Sequence, residues 1–433
     1  MIKKNGTLMR YLRLITLGYV GGTIYCLMYN RYVFYDQMME LMGCTNAQLG
    51  FLTTVSSTTS LCLFLVGPYL ADKLDAKKVI TFAIGSISVL TFLFVLVCES
   101  YKLSMLIWFA QPICMLPYWA CLIKYINNLN GEESAGNAFG TYYMINGLSG
   151  ALGNAIPLAV SHVFGFKGAM VTLGCMTLLA TVMAVLFLED EKDLAKRGIY
   201  LKGDEPIRVK YMIDAVKWPG FWILGFGFLF TYTLYSSVSY FNPFLIHVIG
   251  IDPEVSSGYS VIRSYGAMIV APLGGYMADK VFKSTSTWWI VSFAISAGMF
   301  AIPLLFNENS NPTLVSIYSV LPSLVVFALY SVTYSILREL HVNPIVAGTL
   351  IGLSGKLSLI VDGVYPAMFG SWIDKYGNNG FTYIFLFLIA SCAGGILVAF
   401  WAKKLDRDCK AGLKVMKVGG KVPSSAEREV SLS

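Results

Sequence analysis

Three cationic side chains and one carboxylate lie inside long apolar stretches of this sequence. They are Arg31, Arg263, Lys356 and Asp362. A charge at the centre of a bilayer-length apolar helix costs about 2.5–3.5 kcal/mol on insertion scales, so such groups usually face a cavity or a partner. The cationic excess attracts an anion, and guanidinium groups suit carboxylate, sulfonate or phosphate oxygens. The pattern predicts a buried anion-binding site.

Each of these four residues also has a purely structural interpretation. Arg31 lies where a long side chain reaches the outer interface, and Arg263 has Asp252 and Glu254 nearby along the chain. Lys356 has Asp362 six residues later, but that spacing is about 240° around a helix, so a direct pair is not expected. Asp362 itself has two open roles, a coupling proton site or charge balance for a cation.

Polar and aromatic residues in the same stretches complete the predicted binding set. Span four holds Gln111 beside Pro112 and before Pro117, and these prolines are expected to bend the helix and free backbone carbonyls. Tyr142 and Asn146 lie one turn apart on one helix face, which suits either a cavity or a helix contact. The five predicted contributors are Tyr32, Gln111, Tyr142, Asn146 and Tyr259.

The elements that must position these residues are transmembrane helices. The chain is 56% hydrophobic and 13% charged, against about 25% charged in soluble domains. Its apolar residues fall in blocks of about 20, the length that crosses a bilayer as a helix. We therefore predict an all-α membrane protein with twelve spans, at about 11–38, 45–70, 78–98, 103–125, 136–161, 166–188, 218–246, 255–278, 287–306, 313–337, 344–372 and 380–402.

The basic residues predict the orientation of the chain. Among 32 Lys and Arg residues, only Lys102, Lys167 and Lys375 fall in outer loops if both termini are cytoplasmic. The positive-inside rule therefore predicts a multi-pass protein of the cell (inner) membrane with cytoplasmic termini. The net charge of +7 reflects this topology and does not predict nucleic-acid binding.

Several chemistries are not supported by the sequence. Most of the nine cysteines lie inside spans, and neither a CxxC pair nor a Cys/His cluster occurs, so we expect no metal site and no disulfide framework. The string SGKLS at 354–358 lacks the first glycine of a phosphate loop,. We predict no catalytic residues and no cofactor.

Two internal repeats indicate a duplication. GPYLADK at 67–73 is echoed by GGYMADK at 274–280, and each copy ends an apolar run. Residues 135–168 and 347–380 align without a gap at four glycines, and their AGxxxG openings are expected to let helices approach closely,. We predict two pseudo-symmetric six-helix halves, 1–188 and 218–402, with a connector at 189–217 and a cytoplasmic tail at 403–433.

These motifs resemble those of the major facilitator superfamily over essentially the whole chain. The two ADK copies match the superfamily's loop signature, which implies that Asp72, Lys73, Asp279 and Lys280 form a cytoplasmic gate. By that resemblance, the aspartate caps a neighbouring helix. Tyr29-Asn30-Arg31 and the Gly370, Asp374, Gly377 spacing are similar to the organic-anion branches, which include organophosphate antiporters and anion:cation symporters.

The resemblance and the cationic residues together predict a monomeric secondary transporter of a small organic anion, such as a carboxylate or sugar acid. It would exchange the anion for a counter-anion or couple it to a proton or sodium ion. Span seven lacks the arginine of the organophosphate antiporters, which argues against phosphate esters. The alternatives are a nitrate or nitrite carrier, another small-solute carrier of the superfamily, and a non-transporting membrane sensor.

Overall fold

The computed structural model describes residues 2–63, 66–130, 135–190, 193, 209–265, 270–342 and 350–416. Throughout these residues the regular structure is helical, with no strand. The α-helices are Ile2–Ile24, Tyr35–Met42, Asn46–Cys62, Val66–Lys73, Ala76–Val97, Tyr101–Cys114, Tyr118–Asn130, Ala135–Phe187, Val209–Lys217, Pro219–Ser237, Phe241–His247, Pro253–Tyr265, Ala271–Tyr276, Thr285–Ala301, Pro312–Tyr318, Leu321–Tyr330, Leu359–Tyr376 and Asn379–Lys410.

Seven helical stretches among the described residues are long and apolar enough to cross a membrane: Ala76–Val97, Tyr101–Ile126, Thr141–Phe187, Pro219–His247, Thr285–Leu305, Pro312–Arg338 and Asn379–Lys410. The third has 47 residues, more than twice the length that one crossing needs. It breaks at Gly165, where the backbone leaves the helical region (φ 67°, ψ −173°). The fold is therefore that of an all-α, multi-pass membrane protein.

Two compact units make up the chain. One comprises Met1–Gly203 with Asp252–Val261, and the other comprises Asp204–Ile251 with Ile262–Ser433. The predicted domain limits at 188, 217 and 402 stay predictions.

Several predicted spans are interrupted helices, and proline explains two of the breaks. Pro322 follows the end of Pro312–Tyr318, and its ring would clash with the carbonyl four residues earlier, at Tyr318,. In the same way the helix that carries Gln111 ends at Cys114, before Pro117. The expected bend in span four is confirmed as a full interruption.

The predicted first span, 11–38, is also interrupted, and no proline marks the place. Its helix ends at Ile24, a short 3-10 turn follows at Asn30–Tyr32, and a second helix begins at Tyr35. Irregular backbone at membrane depth is tolerated only where it is buried in protein or lines a cavity. The turn therefore marks a specialised position, and it holds Arg31.

Equivalent glycines of the second repeat adopt equivalent turns. Gly165 and Gly377 both have positive φ (67° and 57°), and a Cβ at either would meet no other atom within 4 Å. Three residues later, Gly168 and Gly380 are both closely packed. The repeat therefore codes for the same helix-to-helix turn twice, which supports the predicted duplication at this point of the fold.

The first turn is followed by an exposed ion pair. Lys167 Nζ donates to Glu99 Oε1 at 2.6 Å. This hydrogen bond and, secondarily, the lysine charge hold the pKa of the Glu99 carboxyl below its ordinary value. The pair links the end of the Ala76–Val97 helix to the turn at Gly165.

Close helix packing in the first unit depends on glycines of the first helix. A Cβ at Gly22 would lie 2.5 Å from the carbonyl oxygen of Asn146 and 2.7 Å from the amide of Gly150. Gly18 is equally close to Ile145 (2.6 Å). In contrast, a Cβ at Gly352, in the predicted AGxxxG opening of span eleven, would meet nothing within 4 Å. Gly352 therefore has no close neighbour among the described residues, contrary to the expectation for this glycine, while Gly348 of the same opening lies outside them.

Candidate functional site

Arg263 is a buried guanidinium in the last turn of the Pro253–Tyr265 helix. Only 1% of the surface of Arg263 is exposed. The Nη1 atom donates to Ser319 Oγ at 2.8 Å, and that hydroxyl donates in turn to Ser316 O at 2.6 Å. Ser319 directly follows the Pro312–Tyr318 helix. The break at Pro322 thus places a hydroxyl where it can hold one arm of the arginine.

The rest of this guanidinium has no partner in the part of the chain that the structure describes. Its Nε and Nη2 atoms are buried without a hydrogen bond. The predicted alternative, a pair with Asp252 or Glu254, is not found, because Glu254 instead contacts His162 Nδ1 at 2.6 Å and Asp252 Oδ1 accepts from the Glu254 amide. Arg263 therefore keeps a buried charge and at least two N–H groups available for an anion.

Arg31 is buried as deeply, at 2% exposed. The 3-10 turn at Asn30–Tyr32 carries it, and its guanidinium carbon lies 4.5 Å from the centre of the Tyr32 ring. Tyr32 stacks on Tyr29 with ring centres 5.5 Å apart. The alternative that Arg31 simply reaches an outer interface does not fit this burial. The predicted site residues Arg31 and Tyr32 are in contact.

Two serines that sequence reasoning missed fix the turn at Arg31. Ser257 Oγ donates to Val33 O at 2.7 Å, and Ser260 Oγ donates to Tyr32 O at 2.6 Å. Both serines lie on the helix Pro253–Tyr265 and are buried. Their spacing of three residues puts them on one helix face, but the sequence gives no sign of which carbonyls they reach.

Tyr259 lies on the same helix as Arg263 and is half-buried. The spacing of four residues places the two on one face.

Tyr142 and Asn146 are brought together as predicted. Asn146 Nδ2 donates to the Tyr142 hydroxyl at 3.1 Å. Both groups also lie against Gly21 of the first helix, where a Cβ would collide with them. Tyr142 is buried, whereas Asn146 is partly exposed. The pair serves as a helix contact at Gly21, and Asn146 keeps an accessible edge.

Gln111 is completely buried, with 0% exposure. Neither its amide nitrogen nor its amide oxygen has a hydrogen-bond partner among the described residues. It lies near the end of the helix that breaks before Pro117.

Lys356 departs from the prediction of a buried cation. It sits in a 3-10 turn, Gly355–Ser358, and its side chain is exposed. Lys356 is exposed because its neighbours Leu357 and Ser354 pack against Gly225 of the Pro219–Ser237 helix. Lys356 therefore lies on another face of this segment. Within the described chain, no carboxylate lies within 4.0 Å of its ammonium group, so it does not pair with Asp362.

Asp362 is buried at 4% exposure and is held by a tyrosine. The Tyr232 hydroxyl donates to its Oδ2 at 2.8 Å. Tyr232 stacks on Tyr235, and Tyr235 stacks on Tyr330 with ring centres 4.7 Å apart. Tyr232 and Tyr235 of span seven therefore stack with Tyr330 of span ten beside Asp362, the acid that the sequence places well inside an apolar stretch.

Comparison with known proteins decides the family. The family model described as "Major Facilitator Superfamily" matches residues 19–355. The chain belongs to the major facilitator superfamily. It is 26% identical to the inner membrane protein YihN of Escherichia coli over 404 residues, which covers 89% of this chain and 94% of that protein. A bacterial homologue of the lysosomal transporter Spinster, solved in an inward-facing and unoccupied conformation, shares the fold with a TM-score of 0.69 at 17% identity, covering 92% of this chain and 96% of that one.

Two further members of the superfamily are similar in sequence and are named for what they carry. The probable sulfoacetate transporter SauU of Cupriavidus necator is 23% identical, covering 78% of this chain and 81% of that protein. The alpha-ketoglutarate permease of Escherichia coli is 25% identical over 30% of each chain. Members of this superfamily are transporters, and the chain is accordingly a membrane transporter and not an enzyme.

The second copy of the superfamily's loop motif is well placed, but its aspartate does not cap a helix. Asp279 pairs with Arg338 at 2.5 Å. The next residue, Glu339, caps the helix Thr285–Ala301 by accepting from the amides of Thr285 and Ser286. Asp279 accepts from no helix amide among the described residues, so the expected cap is not found there, and its assignment to the gate stays a prediction. Lys280 and Lys73 are exposed, and the Asp72 side chain lies outside the described residues.

Among the described residues, no group of three His, Cys, Asp or Glu side chains has a geometry that holds a metal ion.

Proposed function

We propose that this member of the major facilitator superfamily is a secondary active transporter of a small organic anion that works by alternating access. The single observation that supports it most is the Arg263 guanidinium, which is 1% exposed and, among the described residues, has Ser319 as its one hydrogen-bond partner. Burying an unpaired charge is costly, and such a site is usually completed by an opposite charge. An anionic substrate supplies that charge.

The similarity to two anion carriers supports the same substrate class. SauU is named for sulfoacetate and the permease for alpha-ketoglutarate. Both are small organic anions, and guanidinium groups bind sulfonate and carboxylate oxygens alike. Nitrate carriage, the alternative, has no observation of its own in its favour.

The remaining site residues have proposed roles that follow from their surroundings. Arg31 supplies a second buried cation in the first unit, with Tyr32 against its guanidinium group. Lys356 is exposed and acts through long-range attraction rather than direct pairing. Asp362, held by Tyr232, is either the coupling proton site or a charge-balancing group. Gln111, Asn146, Tyr142 and Tyr259 are proposed to contact or frame the substrate. Asp72, Lys73, Asp279 and Lys280 are assigned to the gate.

The proposed orientation places both termini in the cytoplasm. The basis is the distribution of basic residues. A membrane-impermeant amine reagent should modify Lys375 in intact cells, and should modify the lysines of 403–433 only after permeabilisation. The reverse pattern would overturn the orientation.

The function is tested by counterflow in proteoliposomes. The purified protein would be reconstituted and tested with carboxylates, sulfonates, phosphate esters and nitrate, against protein-free liposomes as the blank. We expect counterflow with at least one carboxylate or sulfonate and none with nitrate. Counterflow with nitrate alone, or with no anion in the panel, would contradict the proposal.

A further inference from the structure

Gln111 carries a buried amide group in the first unit. It is 0% exposed, and neither its Nε2 nor its Oε1 has a hydrogen-bond partner among the described residues. Buried polar groups in native proteins are paired in the large majority of cases, so each exception calls for an explanation. A group that binds there during the transport cycle is such an explanation.

Trp108, on the helix that carries Gln111, forms hydrogen bonds to two other spans. Trp108 Nε1 donates to Met28 O at 3.3 Å on the first span. Trp108 O in turn accepts from Ser56 Oγ at 2.6 Å on the Asn46–Cys62 helix. Gln111 follows Trp108 by three residues, so the two lie on one helix face. Gln111 is thereby placed beside the first span.

This part of the first span leads directly to Arg31. Met28 precedes Arg31 by three residues, in the irregular segment between Ile24 and Tyr35. Beyond the proline break, Tyr118 meets Tyr25 with ring centres 6.5 Å apart, edge to face. Trp108 and Tyr118, which lie on either side of Gln111 in the sequence, thus contact the first span at Met28 and Tyr25. The helix of Gln111 therefore contacts the first span three residues before the buried guanidinium of Arg31.

The chemistry of a primary amide selects its partner. It offers two N–H donors and one carbonyl acceptor. A carboxylate or sulfonate only accepts, so it leaves the carbonyl oxygen unpaired. An alkyl chain leaves both ends unpaired. A hydroxyl group both donates and accepts, so one or two neighbouring hydroxyls satisfy the amide completely.

We infer that Gln111 binds a hydroxyl group of the substrate, and that the transported anion is therefore a hydroxylated organic anion. This inference rests on the proposed function and narrows its substrate class. Gln111 selects the body of the substrate, and Arg31, a buried cation of the same unit, is proposed to bind its anionic group.

The test compares anions that differ only in hydroxyl groups. Glycerate and propionate form a carboxylate pair, and 2-hydroxyethanesulfonate and ethanesulfonate form a sulfonate pair. Each would compete against counterflow of whichever panel anion the wild-type protein transports. We expect the hydroxylated member of each pair to compete at about tenfold lower concentration, the scale of one or two hydrogen bonds.

Two variants connect that preference to the residue. Gln111→Met keeps the approximate size without polar atoms, and should remove the preference by weakening only the hydroxylated competitors. Gln111→Asn keeps an amide group and should retain part of the preference for hydroxylated anions. If the wild-type protein shows anion counterflow but the two members of each pair compete equally, the inference is overturned and the proposed function stands. The same holds if Gln111→Met keeps the full preference for the hydroxylated anions. Absence of any anion counterflow would instead overturn the proposed function. If Gln111→Met does not fold, the wild-type comparison alone still decides.

Discussion

Ser260 donates its hydroxyl to the carbonyl oxygen of Tyr32 at 2.6 Å, across 228 residues of sequence. Ser257 makes the corresponding bond to Val33 at 2.7 Å. These bonds tie the helix Pro253–Tyr265 to the irregular turn that carries Arg31. The helix and the turn are therefore expected to order each other.

Removing both hydroxyls should loosen this connection. In Ser257→Ala/Ser260→Ala, amide hydrogen exchange should accelerate by about tenfold in peptides covering 28–34 and 253–261, because local opening no longer breaks two hydrogen bonds. The Asn379–Lys410 helix should exchange as before. The matched control is Ser239→Ala, whose hydroxyl bonds only within its own segment, to Ser236 O. Unchanged exchange in both peptides would show that the two serine hydrogen bonds do not stabilise these segments against local opening.

Gly22 should tolerate no side chain. In Gly22→Ala the new Cβ would meet backbone atoms of Asn146 and Gly150 at 2.5 and 2.7 Å, and overpacking of this kind typically costs about 1–3 kcal/mol. Thermal unfolding in detergent should show a lower midpoint. Gly298→Ala is the control, because that helical glycine has no atom within 4 Å of a Cβ, and alanine there should be neutral or slightly stabilising. Equal midpoints for the two variants would contradict the close packing.

Gly165 and Gly377 should respond alike to substitution. Both have positive φ, and both have open space around a Cβ, so Gly165→Ala and Gly377→Ala isolate the backbone effect. Each should lower the free energy of unfolding by about 1–3 kcal/mol. Denaturant unfolding in mixed micelles measures this. A loss in one variant only would argue against equivalent turns in the two repeats.

Glu339 and Arg338 should differ in their effect on stability although they are adjacent. Glu339→Ala removes the acceptor for two helix amides and should cost about 1 kcal/mol. Arg338→Ala breaks an ion pair whose side chains are 63% and 50% exposed, and exposed pairs contribute about 0–1 kcal/mol. Unfolding midpoints of the two variants test the order. A larger loss for Arg338→Ala would show that the loop motif, not the cap, stabilises this end of the second unit.

Sequence alone predicts the break in span four, because proline cannot continue the helix at 117. The break before Pro322 and the positive-φ turns at Gly165 and Gly377 follow similar single-residue rules. However, the apolar pattern predicts span ten as one helix, and the sequence marks the two glycines only as part of the repeat. The cationic residues stood out because charges are rare in apolar spans.

Features that depend on distant contacts were not foreseeable. The interruption at Asn30–Tyr32 lies in a run without proline, and the glycines before it, Gly18, Gly21 and Gly22, lie inside the preceding helix. Glu339 caps the Thr285–Ala301 helix across 53 residues of sequence, a contact that local sequence does not specify. The exposure of Lys356 follows from Leu357 packing on Gly225, a long-range contact that helical periodicity does not specify.

The proposed transport of an organic anion depends most on Arg263 as an anion-binding group. The most direct measurement is the affinity of the wild-type protein for its counterflow anion, compared with Arg263→Gln and Arg263→Lys, with exposed Arg338→Gln as the matched control. Losing one partner of a buried charge pair typically costs about 2–5 kcal/mol, so Arg263→Gln should bind at least about 30-fold more weakly. Arg263→Lys should also lose affinity, because an ammonium group cannot contact Ser319 and an anion in the same forked geometry. Arg338→Gln should bind as the wild type does. Wild-type affinity in Arg263→Gln would contradict the role of Arg263 in binding the anion.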